Sequence, residues 1–380
     1  MKQSTDRILT THVGSLPRPQ EVVDMLFAED RGDAYEQTDY NTVMARNVAD
    51  VVEKQREVGV DIPSDGEMSK ISYATYIRHR LSGFEIGEMP RATPKDLDEY
   101  PEYRDRLAQS GGTPKYHRPI CRGPIEYVNK EPLLQDIANL QAALDAAGMD
   151  EGFMNAATPG VIGVFQPNDY YATQEEYIEA LANAMKVEYE TIVEAGLLLQ
   201  VDSPDVAMGR HIKFRDVDDA EFLRNAHLQV DALNHALANI PADRVRMHVC
   251  WGNYEGPHTH DVPLPTILPV IRKAKPQAIL FEASNPRHAH EWVIWTENAL
   301  PADKILVPGV LDTTTNYVEH PELVAQRILQ FAEKVGRERV IAGTDCGFGT
   351  FAGFGAVHPT IAYGKLRAMA DGARIASERL

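Results

Sequence analysis

Eight short apolar runs, most of them finishing in polar or ionisable residues, recur along the 380-residue chain. They are ILTTHVGS (8–15), VDIPSDGE (60–67), GFMNAAT (152–158), LLLQVDS (197–203), VRMHVCW (245–251), AILFEAS (278–284), ILVPGVLD (305–312) and RVIAGTDC (339–346). Helix-like segments separate most of them. That alternation predicts a parallel sheet covered by helices, and eight strands suffice to close a (β/α)8 TIM barrel. The expected domain organisation is one catalytic barrel over 1–380.

The segment 174–194 illustrates the helices. Thr173 is placed to cap it, with Glu176 completing a capping box. Ile178, Leu181, Met185, Tyr189 and Ile192 then form one apolar stripe, and Gly196 sits just past the end. Similar amphipathic runs occupy 40–57, 218–238, 322–335 and 360–378. Residues 82–130 break the rhythm with Pro, Gly and charge. They predict a hairpin-containing insertion between strands two and three, near the barrel mouth, with an extended piece at RGPIEYV (122–128) and too little apolar material for a core of its own.

Lys and Arg total 38 against 56 Asp and Glu, a formal net charge of −18. Nucleic acid is therefore not an expected partner, because phosphate binding needs a basic surface. No apolar run approaches the ~20 residues of a membrane span. The opening MKQSTDRILTTHVGS lacks the apolar core of a signal peptide, so a cytoplasmic location is expected. Oligomeric state is left open, a homo-oligomer included. The cysteines are three, Cys121, Cys250 and Cys346, which does not suit a disulfide framework. Cys121 reads as a small buried hydrophobe.

The other two cysteines stand at strand ends. In MHVCWGN (247–253), side-chain alternation puts His248 and Cys250 on one face of a strand, at its C-terminal end. Barrel active sites sit at that end. Glu282 ends the run LFEAS and Cys346 ends GTDCG, so a barrel would bring all four together. Imidazole, carboxylate and two thiolates suit Zn2+. Two thiolates and a carboxylate leave the centre at about −1, which makes it a poor generator of hydroxide and a good holder of a substrate thiolate. A free thiol has pKa ~8.5, and metal coordination deprotonates it. The chemistry expected is attack of that sulfur on an electrophilic carbon.

MHVCWGN, LFEAS and GTDCG resemble the zinc segments of the cobalamin-independent methionine synthase catalytic domain. ILTTHVGSLPRP resembles the opening segment of that family, DGE (65–67) its substrate-amine motif, RPICRGPIEYVNKEPLLQDI (118–137) its hairpin region, and VDSP (201–204) its acidic pair before proline. The resemblance implies a (β/α)8 barrel and zinc-dependent thiol alkylation, with His248, Cys250, Glu282 and Cys346 as ligands. It also implies that Ser15 contacts an acidic group of the thiol substrate, and that Glu67 and Asp202 face its ammonium. Three places depart from the family. Ser203 replaces the second acid of the pair. Thr313, Thr314 and Thr315 stand where the synthase has a proton-transferring histidine. TPGVIGVFQPNDYY (158–171) lacks the tryptophan that stacks on a pterin, leaving Phe165 as the aromatic substitute. Epoxyalkane–coenzyme M transferase, a single-barrel relative that opens epoxides with an anionic thiol, is the alternative the resemblance offers. For such an anion the candidate cations are Arg18, Arg78, Arg80, Arg118, Arg122 and Arg210. A metal-free decarboxylase resembling uroporphyrinogen decarboxylase is the reading from another class, and a zinc store a third.

Further residues are read individually. Asn253 and Tyr254 are placed to bond substrate or a ligand, Asp312 to face substrate as a catalytic carboxylate alongside Asp202, and Asp345 to brace a neighbouring strand or orient a ligand. His258 and His260 fall in a loop. The histidines of NPRHAHEW (285–292) are expected on the surface of a helix start. His12 reads as a satisfied interior group or a substrate contact. The expected partners are a small-molecule thiol and an alkyl donor.

Overall fold

The computed structural model describes residues 1–87, 93–109, 118–295 and 300–380. β1 (Leu9–Thr10) leads to α1 (Gln20–Arg31) and α2 (Gln37–Glu57). β2 (Phe84–Gly87) and β3 (Arg118–Cys121) pair as a two-stranded antiparallel sheet, with α3 (Pro101–Gln109) between them in sequence. Then come α4 (Glu131–Ala147), β4 (Phe153–Ala157), α5 (Pro159–Phe165), α6 (Gln174–Glu194) and β5 (Leu198–Asp202). They are followed by α7 (Asp219–Ala236), β6 (Val245–Val249), α8 (Leu264–Lys273), β7 (Ala278–Phe281) and β8 (Ile305–Pro308). α9 (Pro321–Val335), β9 (Ile341–Ala342) and α10 (Pro359–Ser377) end the chain.

The class is α/β, as the sequence rhythm predicts. β4 to β8 form one parallel sheet in chain order, and β1 pairs in parallel with β9. Single parallel bridges join Thr11 to Ile62, Ser64 to Phe153, Leu306 to Val340 and Gly309 to Gly343. Every residue of β4 to β8 is buried, the pattern of parallel strands covered on both faces. One face carries Leu9, Ile62, Phe153, Leu198, Leu280, Val307 and Ile341, a compact cluster drawn from strands far apart in sequence. The other face packs on the helices in a larger core.

Two expectations are modified. The run 60–67 forms only bridges, because Pro63 gives its carbonyl to Phe153 N–H at 2.9 Å but has no N–H to return. The regular strands described in the 82–130 region are β2 and β3, both upstream of the expected 122–128. Gly123 and Pro124 end the regular ladder, and the chain continues extended, with Leu81 bridged to Tyr127. The helices agree closely with the reading. Thr173 accepts the Glu176 N–H at 3.1 Å, and the Glu176 carboxylate returns a bond to the Ala172 N–H at 3.1 Å. Part of the 82–130 region leans on loops that follow the sheet. Asp96 accepts the Tyr254 hydroxyl at 2.6 Å and the His258 N–H at 2.7 Å. Cys121 is fully buried, as expected. Among the described residues no helix is long and apolar enough to cross a membrane.

Candidate metal centre

Strand alternation places Arg246, His248 and Cys250 on one face of β6 and its extension. Deep in the interior, Arg246 donates to Thr11 Oγ1 at 2.8 Å and to the His12 carbonyl at 2.6 Å. His248 and Cys250 lie successively nearer the strand's C-terminal end. Cys346 arrives from the turn after β9, where Thr344 Oγ1 donates to its carbonyl at 2.7 Å. One ligand atom each from His248, Cys250 and Cys346 lies within 4.8 Å of the others, and all three residues are buried. The two sulfurs are 3.7 Å apart. A tetrahedral ion with metal–sulfur bonds of about 2.3 Å has a sulfur–sulfur edge of about 3.8 Å.

The electrostatics fit a cation. His248 Nδ1 is 3.3 Å from Asp202 Oδ1, while its buried Nε2 has no hydrogen-bond partner. A proton on Nδ1 leaves the Nε2 lone pair free to bind a metal, the arrangement in which a carboxylate orients a ligating imidazole. Asp202 is itself fixed by Asn155 Nδ2 at 2.9 Å and Gln200 Nε2 at 3.0 Å. The adjacent Cys346 thiol and burial push the Cys250 thiol well above its ordinary range. Two thiolates this close need a positive charge to be stable.

Glu282 reaches the same cavity but stands outside that group of three. Its Oε1 accepts the Trp251 N–H at 2.7 Å and its Oε2 accepts Asn285 Nδ2 at 2.8 Å. Each oxygen keeps a second lone pair. Asp345 braces the turn after β7, which lies beyond β8 and is not the neighbouring strand. It accepts the N–H groups of Ala283, Ser284 and Asn285 at 2.8 to 2.9 Å and the Ser284 hydroxyl at 2.8 Å. Burial and nearby Glu282 push its carboxyl up to about 7, against those donors, which favour the ionised form. With so many donors converging on it, we assign it the charged state.

A cavity of about 190 Å3 opens beside Cys346, lined also by Asn253, His258, Glu282, Asp312 and Thr313 to Thr315. Asn253 spends its amide on holding the Cys346 loop, donating to the Gly347 carbonyl at 2.8 Å and Thr350 Oγ1 at 2.7 Å. Asp312 Oδ1 accepts the Thr314 N–H at 2.7 Å and its hydroxyl at 2.8 Å. Ser15 is buried against Gly347, where an added Cβ would collide with the Ser15 hydroxyl. Glu67 adopts a left-handed φ of 56°, uncommon for a residue with a side chain. Burial pushes its carboxyl up to about 7, with Lys70 opposing and Asp202 adding to the shift.

The residues from 8 to 374 match the family described as "Cobalamin-independent synthase, Catalytic domain". This chain belongs to that family. It is 26% identical over 376 residues to a methionine synthase of Saccharolobus solfataricus, covering 98% of this chain and 95% of the relative. A Sulfolobus acidocaldarius methionine synthase is 26% identical over 341 residues, covering 89% of this chain and 85% of the relative. In fold, the chain superposes on a B12-independent methionine synthase from a Shewanella species with TM-score 0.71 and 17% identity, over 98% of each chain. Membership makes this chain a synthase-type enzyme and leaves the decarboxylase reading without support.

Within this synthase framework, the structure gathers His248, Cys250 and Cys346, with Glu282 and Asp312 on the adjoining cavity. Phe165 is half-buried at the end of α5, edge-on to Tyr73 with ring centroids 6.2 Å apart. Of the candidate cations, Arg78, Arg80, Arg122 and Arg210 are paired with Asp30, Asp136, Glu85 and Asp219. The side chain of Arg118 lies outside the described residues. Arg18 is buried, bonding the Glu67 carbonyl at 3.0 Å, and its Nη2 is ion-paired with Glu67 Oε2 at 3.9 Å, beyond hydrogen-bond distance. His12 is a satisfied interior group, bonded to Gln55 at 2.6 Å, and burial pushes it down to about 3. His288 corrects the surface expectation. It is 3% exposed and precedes a 3-10 turn, not a helix. Sequence reading also missed Asp202 as the partner of His248, a pairing that crosses between two strands. The register that sets Asp202 beside His248 was its only available signal.

Proposed function

We propose that this chain is a zinc-dependent thiol S-alkyltransferase of the methionine-synthase kind, joining a small-molecule thiol to a methyl or alkyl donor. The observation that carries this is the partnerless His248 Nε2 beside two thiols 3.7 Å apart. Such donors favour zinc over hard cations, and Glu282, on the same cavity, would be the fourth residue to hold it. The archaeal relatives, both methionine synthases, support transfer to sulfur. A closed (β/α)8 barrel in one domain over 1–380 is part of the reading. The β1–β9 pairing and the bridges at Ile62, Ser64 and Val340 support the ring. The contacts of Asp96 support an insertion at the mouth.

When bound, zinc makes a thiol acidic enough to react as thiolate near neutral pH. The chain's own groups do the rest. Asp202 keeps the His248 proton on Nδ1. Asp312, whose second oxygen has no hydrogen bond among the described residues, takes the thiol proton. The sulfur electron pair forms the new S–C bond while the donor's bond to its leaving group breaks. That group departs with the bonding electrons, and Asp312 returns the proton to it. Glu67, whose buried Oε2 makes no hydrogen bond and lies 3.9 Å from Arg18, accepts a substrate ammonium alongside Asp202. The Ser15 hydroxyl faces an acidic group on the thiol. Asn253 holds the Cys346 loop against the cavity where these groups meet.

A second donor reading has one observation in its favour. The pocket around Phe165, Tyr73, Gln166 and Phe351 has room for little more than a water molecule, about 10 Å3. If the donor enters beside Phe165, a small one such as an epoxide needs less rearrangement there than a pterin. The deciding experiment combines metal analysis with X-ray absorption at the zinc edge in the presence of homocysteine, coenzyme M and other thiols. One thiol should add a zinc–sulfur bond, and Cys346→Ser should lose zinc and turnover together. Full turnover by a metal-free Cys346→Ser protein overturns the reading.

A further inference from the structure

Asp261 lies beside the candidate centre, outside it, and gathers three buried histidines. Its Oδ2 is 3.0 Å from His258 Nδ1 and 3.0 Å from His288 Nε2, and its Oδ1 is 3.3 Å from His211 Nδ1. The His288 Nδ1 faces Glu291 Oε2 at 2.8 Å, so both of its ring nitrogens face carboxylates. The second nitrogen of His258 faces the Tyr254 carbonyl at 3.0 Å. Carbonyl and carboxylate oxygens accept and do not donate, so both rings satisfy these partners only as imidazolium ions. The Asp261 side chain is 3% exposed, in a low-dielectric surrounding where such contacts are strong when fully paired.

The origin of the three histidines gives the cluster its meaning. His211 follows β5, which ends in Asp202. His258 and Asp261 lie in the loop after Cys250. His288 lies in the loop after Glu282. Each loop therefore begins at a residue of the candidate centre. Direct links run back to it: the His288 ring stacks on Trp251 with centroids 4.4 Å apart, and the Trp251 N–H holds Glu282 Oε1 at 2.7 Å. The Met208 N–H bonds the Cys250 carbonyl at 3.0 Å. His258 is held at a left-handed φ of 52°, a conformation that a histidine keeps only when its surroundings impose it.

We infer that Asp261 is a positioning residue of the metal centre, tying the loops after Asp202, Cys250 and Glu282 into one unit that fixes where the ligands stand. The charges support the geometry. Burial alone would raise the Asp261 carboxyl, but His211, His258 and His288 hold it well below the usual carboxylate range. Burial alone would lower His288, but Asp261 and Glu291 push it up to about 10. The inference rests on the proposed zinc reading only for its metal arm.

The test compares wild type with Asp261→Asn by hydrogen–deuterium exchange without added metal and by zinc affinity in chelator competition. Exchange should rise together in 204–214, 252–262 and 285–291, and zinc affinity should fall about 10- to 100-fold, as for residues that orient ligands. Increased exchange confined to 252–262, or zinc affinity unchanged within twofold, overturns the inference. If wild type binds no zinc, the proposed function fails while the exchange arm still decides whether Asp261 joins the loops. Should Asp261→Asn not fold, His288→Gln replaces it: exchange must rise in both 252–262 and 285–291, and a rise in 285–291 alone overturns the inference.

Discussion

His248 and His288 are both buried imidazoles beside a carboxylate, and they serve opposite ends. His248 has Asp202 on one nitrogen and nothing on the other. His288 has Asp261 on one nitrogen and Glu291 on the other. The first arrangement presents a lone pair to a metal. The second fixes a cation that holds loops together. The same side chain at the same depth becomes ligand or strut according to how many acceptors surround it.

Removing the free lone pair should have the largest effect. His248→Ala should bind zinc about a hundredfold more weakly or worse, with turnover lost in parallel, as read by metal analysis after dialysis. Retention of stoichiometric zinc would erase the distinction between the two imidazoles. Asp202→Asn tests the carboxylate that orients the ligand. It should weaken zinc binding by about 10- to 100-fold while leaving the melting transition single and cooperative. An unchanged affinity would mean that His248 does not depend on Asp202 for its orientation.

The His288 side of the comparison is read by stability. Its folded value of about 10 lies above the ordinary 6.5, so its contribution is complete below about pH 6.5 and is lost as pH rises through about 10. Asp261 and Glu291 face its nitrogens, Trp251 its ring, and Glu282 is the further nearby charge. His288→Gln should cost about 3 kcal/mol near neutral pH, the order for breaking one side of a buried ion pair. It should also flatten the decline in stability between pH 7 and 9.5, measured by chemical denaturation at several pH values. A wild-type protein equally stable at both pH values would show that His288 is not held as a cation.

Much of the architecture was legible because its signals are local. A period of two in VRMHVCW puts His248 and Cys250 on one face, and a period near four in 174–194 builds α6, whatever the rest of the chain does. The clustering of His248, Cys250 and Cys346 was legible for a related reason: parallel strands bring their C-terminal ends to one pole, where widely spaced side chains come together. The weak second strand was harder to foresee, since one proline interrupts a ladder that its neighbours continue. The bracing roles of Asn253 and Asp345 depend on loops whose course no local pattern sets.

The order of elements and the shared facing of His248 and Cys250 follow from the sequence alone, because backbone geometry repeats at fixed intervals. The protonation of each histidine was decided only when the chain folded. It depends on acceptors carried by other strands and loops, Asp202 for His248 and the Asp261–Glu291 pair for His288, and a proton settles where those partners converge in three dimensions.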